Sequence, residues 1–231
     1  MNKKDLLDAI FAQGSDQMAK NGFIRKKGQL YYKPVEGRFL FTVSIDVINH
    51  GSCEEFDIDP VLGVTNMNVN FLRSRIDENY IYANNIFLSG FISNVGQIAQ
   101  GGYKDWHFSI NSNVNLNVAE EMFEFVLKTY EGFYSKVNTA DKFISYAVDT
   151  YSIKGVTQAL LMYYCCNRRD LGLNYIEFLR GERLERLLKN WNREKFERFL
   201  SRYENELPED STELLQLVPA FCKKRRITII D

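Results

Sequence analysis

At 231 residues, with 45% hydrophobic and 26% charged side chains, the chain can bury a sizeable core and is too apolar for global disorder. Its net charge is −1, with −3 across residues 1–138 and +2 across 139–231, so no bulk field draws it to nucleic acid or an acidic membrane. The four cysteines, Cys53, Cys165, Cys166 and Cys222, include no CxxC pair, which excludes a thiolate zinc pattern and a disulfide framework and suits a reducing cytoplasm.

Residues 4–20 have helical spacing in Leu6, Leu7, Ile10, Phe11 and Met18, weakened in the middle by Gly14-Ser15. Asn21-Gly22 is the stop. Phe23–Lys27 and Gln29–Lys33 flank Gly28 as a tight hairpin that Pro34 ends. Phe39, Phe41, Val43, Ile45 and Val47 alternate with Leu40, Thr42, Ser44 and Asp46, the clearest strand in the chain. Glu55-Phe-Asp57-Ile-Asp59 also alternates. Its charges and Pro60 place it on a sheet edge. Asn66–Ile76 fits a helix slightly better than a strand, Asn84–Val95 fits either, and Trp106–Ile110 fits a short strand.

From about Asn117 the pattern is helical. Helices are expected over Val118–Tyr134, Ala140–Tyr151, Val156–Arg168, Leu173–Gly181 and Asn192–Leu207, with a break at Asp170-Leu-Gly172 and an N-cap at Asn192. A last short helix runs from Ser211 to Leu217. Lys223–Arg226 then forms a basic turn before an apolar tail. The N-terminus has no signal-peptide core, and no apolar run approaches the ~20 residues of a membrane span. The fold class is α+β: an N-terminal helix, a mostly antiparallel sheet and a long packing helix in residues 1–138, then an all-helical extension in 139–231.

A helix, then Gly22-Phe-Ile-Arg-Lys-Lys-Gly-Gln-Leu-Tyr-Tyr32, then the strand Phe39–Val47, resembles the bacterial domain-of-unknown-function family numbered 4304. The Trp106-His-Phe108 strand and a long helix ending in Phe133-Tyr134 are similar in order. The similarity covers about residues 4–150. The arginine of that family's central strand has Arg73 or Arg75 as its nearest match, and the helical third lies outside the overlap. The resemblance implies no assigned activity. It implies a place in bacterial conflict systems, among them immunity proteins for secreted toxins.

Several groups are candidates for chemistry. Glu54, Glu55, Asp57 and Asp59 form a carboxylate patch that suits a cationic protein surface, such as a cognate toxin, although the ordinary reading of such a stretch is a plain solvated edge strand. Arg25, Lys26 and Lys27 beside Phe23, Tyr31 and Tyr32, or Lys223, Lys224, Arg225 and Arg226, suit nucleic acid. One face of such a hairpin normally belongs to the core, however. His50 and Cys53 near the acidic stretch lack the convergent set a zinc ion needs, and nothing in the sequence brings His107 to them. Asp105 and His107 share a strand face with Trp106 turned to the core, a weak acid–base pattern without a nucleophile. Cys165-Cys166 lies on an apolar helix and reads as buried. No GxSxG, Walker A, GxGxxG or HExxH motif occurs. The expectation is a non-enzymatic cytoplasmic protein-binding component with no metal or cofactor and no membrane contact. A nucleic-acid-binding protein is the first alternative, and an enzyme of unrecognised type is the second.

Overall fold

A computed structural model describes residues 2–27, 29–51, 54–76, 90–150, 152–181, 183–188 and 193–231. The fold is α+β, with an N-terminal helix, an antiparallel sheet and a helical C-terminal region. The chain forms two compact units. One comprises Met1–Pro34, Leu40–Val64 and Ile92–Ser135, and the other Val35–Phe39, Thr65–Phe91 and Lys136–Asp231.

In the first unit, helix α1 (Lys3–Lys20) is capped by Asn2, whose side chain accepts from the Asp5 amide. Leu6, Ile10, Phe11, Gly14 and Met18 are its buried stripe. The helix ends in a Schellman turn. Phe23 N donates to Met18 O, Gly22 N donates to Ala19 O, and Gly22 sits at φ 78°. Strands β1 (Ile24–Lys27) and β2 (Leu30–Val35) pair antiparallel, with a register shift between Arg25 and Lys27. The expected turn residue Gly28 lies outside the described residues. Strands β3 (Phe39–Asn49), β4 (Glu55–Asn66), β5 (Phe91–Asn94) and β6 (Trp106–Ser109) complete the sheet, in the order β1-β2-β3-β4-β5 with β6 also on β4. Helix α3 (Val95–Ile98) follows β5, and α4 (Asn115–Val137) follows β6.

The acidic stretch is therefore not on an edge, as its charges suggested. Strand β4 is interior and runs through Pro60 to Asn66. Its registered pairs with β6 end at Ile58↔Trp106, and Pro60, which has no N–H to give a ladder, comes just after them. One face of the sheet is packed by aromatic rings. Phe41 meets Tyr130 and Phe133 of α4 at centroid distances of 5.2 and 6.1 Å, and Phe23 meets Tyr130 at 5.1 Å. Gly14 lets α1 close on α4. A Cβ there would stand 2.0 Å from Cζ of Phe123, so the glycine that weakens the helix on paper is a packing requirement.

In the second unit, α2 (Met67–Ile76) forms over the segment that fitted a helix better than a strand. The Asn66 side chain accepts from the Asn68 amide at its start. Of the ambiguous Asn84–Val95, residues 84–89 lie outside the described residues. Helices α5 (Ala140–Asp149), α6 (Ile153–Cys165), α7 (Arg169–Arg180), α8 (Arg183–Leu188), α9 (Arg193–Asn205), α10 (Thr212–Leu215) and α11 (Val218–Lys224) follow. Ten of the thirteen α6 residues are buried, and α2, α5 and α7 pack on it.

Three expectations change here. The break before α7 falls at Asn167, whose φ is 54°, and not at Asp170-Leu-Gly172, which lies inside α7. Asn167 holds that turn by accepting from Ser211 N and Oγ. Gly172 is a contact residue, since a Cβ would stand 2.1 Å from the Tyr203 hydroxyl. The single last helix is two, and Lys223 and Lys224 close the second, with Pro219 in its first turn. Asn192 lies outside the described residues. The apolar tail is held by Arg38, which donates from its amide to Ile230 O and from its guanidinium to Asp231, Asn68 and Leu215 O. Among the described residues no helix is long and apolar enough to cross a membrane.

Candidate functional site

The packed sheet face in the first unit leaves the opposite side chains of β3, β4 and β6 facing outward. Along β3, Val43 and Ile45 are buried while Asp46 and Ile48 are exposed. Along β4, Phe56 and Ile58 are buried, Glu55 is exposed, and Asp57 and Asp59 are half-buried. The register Glu55↔Ser109, Phe56↔Phe108, Asp57↔His107 and Ile58↔Trp106 puts His107 beside Asp57 on the outer side, since paired residues of an antiparallel ladder share a face. Phe56 and Phe108 stack beneath at 5.6 Å. Trp106 is buried against Phe125 at 5.5 Å, as its alternation with His107 required.

Asp57 is the centre of this face. The chain has two histidines, and both reach it. His107 Nδ1 donates to Oδ1 at 2.8 Å, and His50 Nε2 donates to Oδ2. Burial pushes the Asp57 carboxyl up, but the hydrogen bonds from His107 and His50 outweigh it and leave its pKa below the ordinary 3.8. Nothing in the sequence brought His107 to His50, yet both meet at Asp57. Sequence separation hid a contact that strand pairing makes. The carboxylate that orients His107 is Asp57 across the ladder, not its near neighbour Asp105. Among the described residues no group of three or more His, Cys, Asp or Glu is arranged to hold a metal ion. Cys53 lies outside them.

Asp59 is also engaged. Tyr103 donates to Oδ2 and Asn94 Nδ2 to Oδ1, each at 2.6 Å. The Asp59 hydrogen bond, some burial, and the charges of Asp59, Asp105 and Asp46 push the Tyr103 phenol up to about 12. Asn94 is saturated, accepting from Gly96 N and Lys104 N and donating to Lys104 O, so it ties the start of α3 to Lys104, next to Tyr103. The four acidic residues of the sequence patch therefore split. Asp57 and Asp59 hold the face together, while Glu54 and Glu55 are exposed. Asp46 and Asp105, also exposed, join the same face. Neither was legible as part of it, because Asp46 comes from β3 and Asp105 from the segment entering β6.

The basic candidates are dispersed. Arg25 is exposed on β1 and Lys26 half-buried, while the side chain of Lys27 lies outside the description. Phe23, Tyr31 and Tyr32, the rings expected to stack bases, are buried at 4%, 1% and 3% exposure. Lys223 and Lys224 are exposed at the end of α11, and the Arg225 guanidinium lies 3.8 Å from the Phe221 ring centroid. In the helical unit, Val148, Val156, Tyr175, Phe178 and Leu179 line a groove of about 560 Å³. Burial pushes the Cys165, Cys166 and Cys222 thiols above their ordinary range, which makes them poor nucleophiles. Lys154, pushed down to about 8 by burial and by Arg73, is a feature no sequence motif marked. No protein-family model, curated protein sequence or solved structure matches this chain.

Proposed function

We propose that this chain is a non-enzymatic, cytoplasmic protein-binding component of a bacterial conflict system, a toxin-neutralising immunity protein or a phage-defence accessory. It engages a cationic partner protein through the outer face of β3, β4 and β6. One observation carries this reading: Asp46 and Ile48 of β3, Glu55 of β4, and Tyr103 and Asp105 in the segment entering β6 are exposed, on a sheet whose other face is packed. A rigid sheet presenting several carboxylates and two exposed apolar side chains suits steering and docking of a basic surface. The resemblance of the α1–hairpin–β3 order to family 4304 supports the same class of function by analogy.

The nucleic-acid alternative has less support, since the hairpin rings are in the core and cannot stack on bases. The enzyme alternative has an oriented imidazole, but among the described residues neither ring is hydrogen-bonded to a hydroxyl or thiol. The test is affinity capture from the native bacterial cytoplasm, with wild type and with an Asp46→Lys, Glu55→Lys, Asp105→Lys variant. The expected result is a basic protein captured by wild type and lost with the variant. Equal capture by both refutes this face as the docking surface, and retention of wild type on DNA at low salt favours the alternative.

A further inference from the structure

Helices α5, α6, α7 and α8 pack in succession within the helical unit, and the groove of about 560 Å³ lies among them. Its size falls within the roughly 300–1,000 Å³ of small-molecule sites. Val156 of α6 and Leu179 of α7, each 2% exposed, form the floor. Val148 of α5 and Leu187 of α8 are half-buried walls. Tyr175 and Phe178, one turn apart on α7, stack at 6.4 Å and give the groove a flat aromatic side. Phe178 is 54% exposed, so this ring marks the rim.

The α5–α6 wall is fixed by its own hydrogen bonds. Ser152 caps α6 by accepting from Gly155 N, and Thr150 Oγ1 donates to Ala147 O at the end of α5. A Cβ on Gly155 would stand 2.2 Å from that carbonyl oxygen, so the two helix ends are in close contact. A preformed wall of this kind loses little conformational freedom when a ligand fills the groove.

Among the described residues one charged side chain lines the groove, Arg186 of α8, and it is exposed. On the flanking helices α7 and α9 the arginines are neutralised. Arg180 meets Glu204, Arg193 meets Glu185, Arg198 meets Glu194 and Arg202 meets Glu206. Arg186 has no hydrogen bond or ion pair among the described residues. Its guanidinium is a planar, permanently charged fork that matches a carboxylate.

We infer that this groove binds an amphipathic carboxylate, its aliphatic chain along Val148, Val156, Leu179 and Leu187 and its head group on Arg186. The lining sets the body of the ligand, because burial of methylenes against these side chains is the favourable term. The single cation sets the sign of the head group. A cationic head would meet Arg186 with like charge. The site lies wholly in the helical unit and does not depend on the cationic-partner reading of the sheet face.

The test uses the intact chain with valine and leucine methyl groups isotopically labelled, and decanoate as the probe. An NMR titration is expected to shift the methyls of Val148, Val156, Leu179 and Leu187 together, with a Kd of about 1 mM or tighter. Leu40 and Val43, buried in the sheet, should not move. Octanoate should bind about tenfold more weakly, from two methylenes fewer. Arg186→Glu, at an exposed position, should weaken decanoate by about tenfold and strengthen decyltrimethylammonium. Val148→Trp should fill the groove and abolish the shifts at Val156 and Leu179, with an unchanged Tm showing that the fold survives. If Val148→Trp does not fold, Arg186→Glu decides alone. Absence of shifts at these methyls overturns the inference. Equal binding of decanoate and decyltrimethylammonium, unchanged by Arg186→Glu, also overturns it and shows only non-specific apolar adsorption.

Discussion

Gly14→Ala separates helix propensity from packing, because the two predict opposite signs. An alanine in the middle of a helix is more favourable than glycine by about 1 kcal/mol. On that ground alone α1 should gain stability, since Gly14 sits twelve residues into an eighteen-residue helix. Packing argues the other way. The new methyl would stand 2.0, 2.2 and 2.6 Å from Cζ, Cε2 and Cε1 of Phe123. Phe123 has 0% exposure, so the ring has no solvent to swing into. Overpacking of this kind costs about 1–3 kcal/mol, and a clash with the whole edge of a buried ring belongs at the upper end. The net is a loss of about 1–2 kcal/mol. At roughly 2–4 °C per kcal/mol for a chain of this size, Tm should fall by roughly 2–8 °C. Thermal and urea unfolding would measure it, with m unchanged if the variant remains folded. Phe123→Leu removes the ring edge, so the double variant should recover about 1 kcal/mol relative to additivity. A Tm at or above wild type for Gly14→Ala would refute the close approach of α1 to α4.

Four further substitutions probe other contacts. Gly172→Ala should destabilise the helical unit by about 1–2 kcal/mol, because its Cβ would meet the Tyr203 hydroxyl at 2.1 Å. Tyr203→Phe should be neutral or slightly stabilising alone, as that buried hydroxyl has no hydrogen-bond partner among the described residues, and should relieve the Gly172→Ala defect. Chemical denaturation of the two single variants and the pair checks both statements. Asp57→Asn should lower stability at pH 7 by about 1 kcal/mol. The folded-state pKa of Asp57 is lowered, so wild type holds this advantage above the ordinary 3.8 and loses it as pH falls through the folded value. A gap that persists at pH 2 contradicts the assignment. Lys154→Met should raise Tm at pH 7 by the equivalent of about 1–2 kcal/mol, because a lysine held near 8 resists the protonation it has when unfolded. That penalty is complete below pH 8 and vanishes above 10.5, so the gain should close across that interval.

Local patterns recovered most of the elements because they depend on neighbours in sequence. The α1 stop at Asn21-Gly22, the alternation of β3 and the Trp106–Ser109 strand each follow from side-chain period and backbone freedom within a few residues. The failures share a cause as well. The placement of β4 at an edge came from its charges, but charge on one face says nothing about how many neighbours the backbone has. Here β6 arrives from about fifty residues away to cover the strand. Gly172 was taken as punctuation because glycine breaks helices on average. Its actual constraint is Tyr203, thirty-one residues further on.

The site follows the same logic one level up. Four carboxylates near residue 57 were visible as a patch, yet the sequence alone treats them as equivalent. The hydrogen bonds divide them by role. Asp57 ties His50 and His107, and Asp59 ties Tyr103 and Asn94. Reversing all four charges would therefore confound loss of binding with loss of the face itself. Substituting Asp46, Glu55 and Asp105 instead changes charge at exposed positions and leaves the Asp57 and Asp59 hydrogen bonds in place. The alternation Glu55-Phe-Asp57-Ile-Asp59 and the pair Trp106-His107 were each legible alone. Only the register Asp57↔His107 shows that they describe one face, and register is a long-range property that a single sequence does not display.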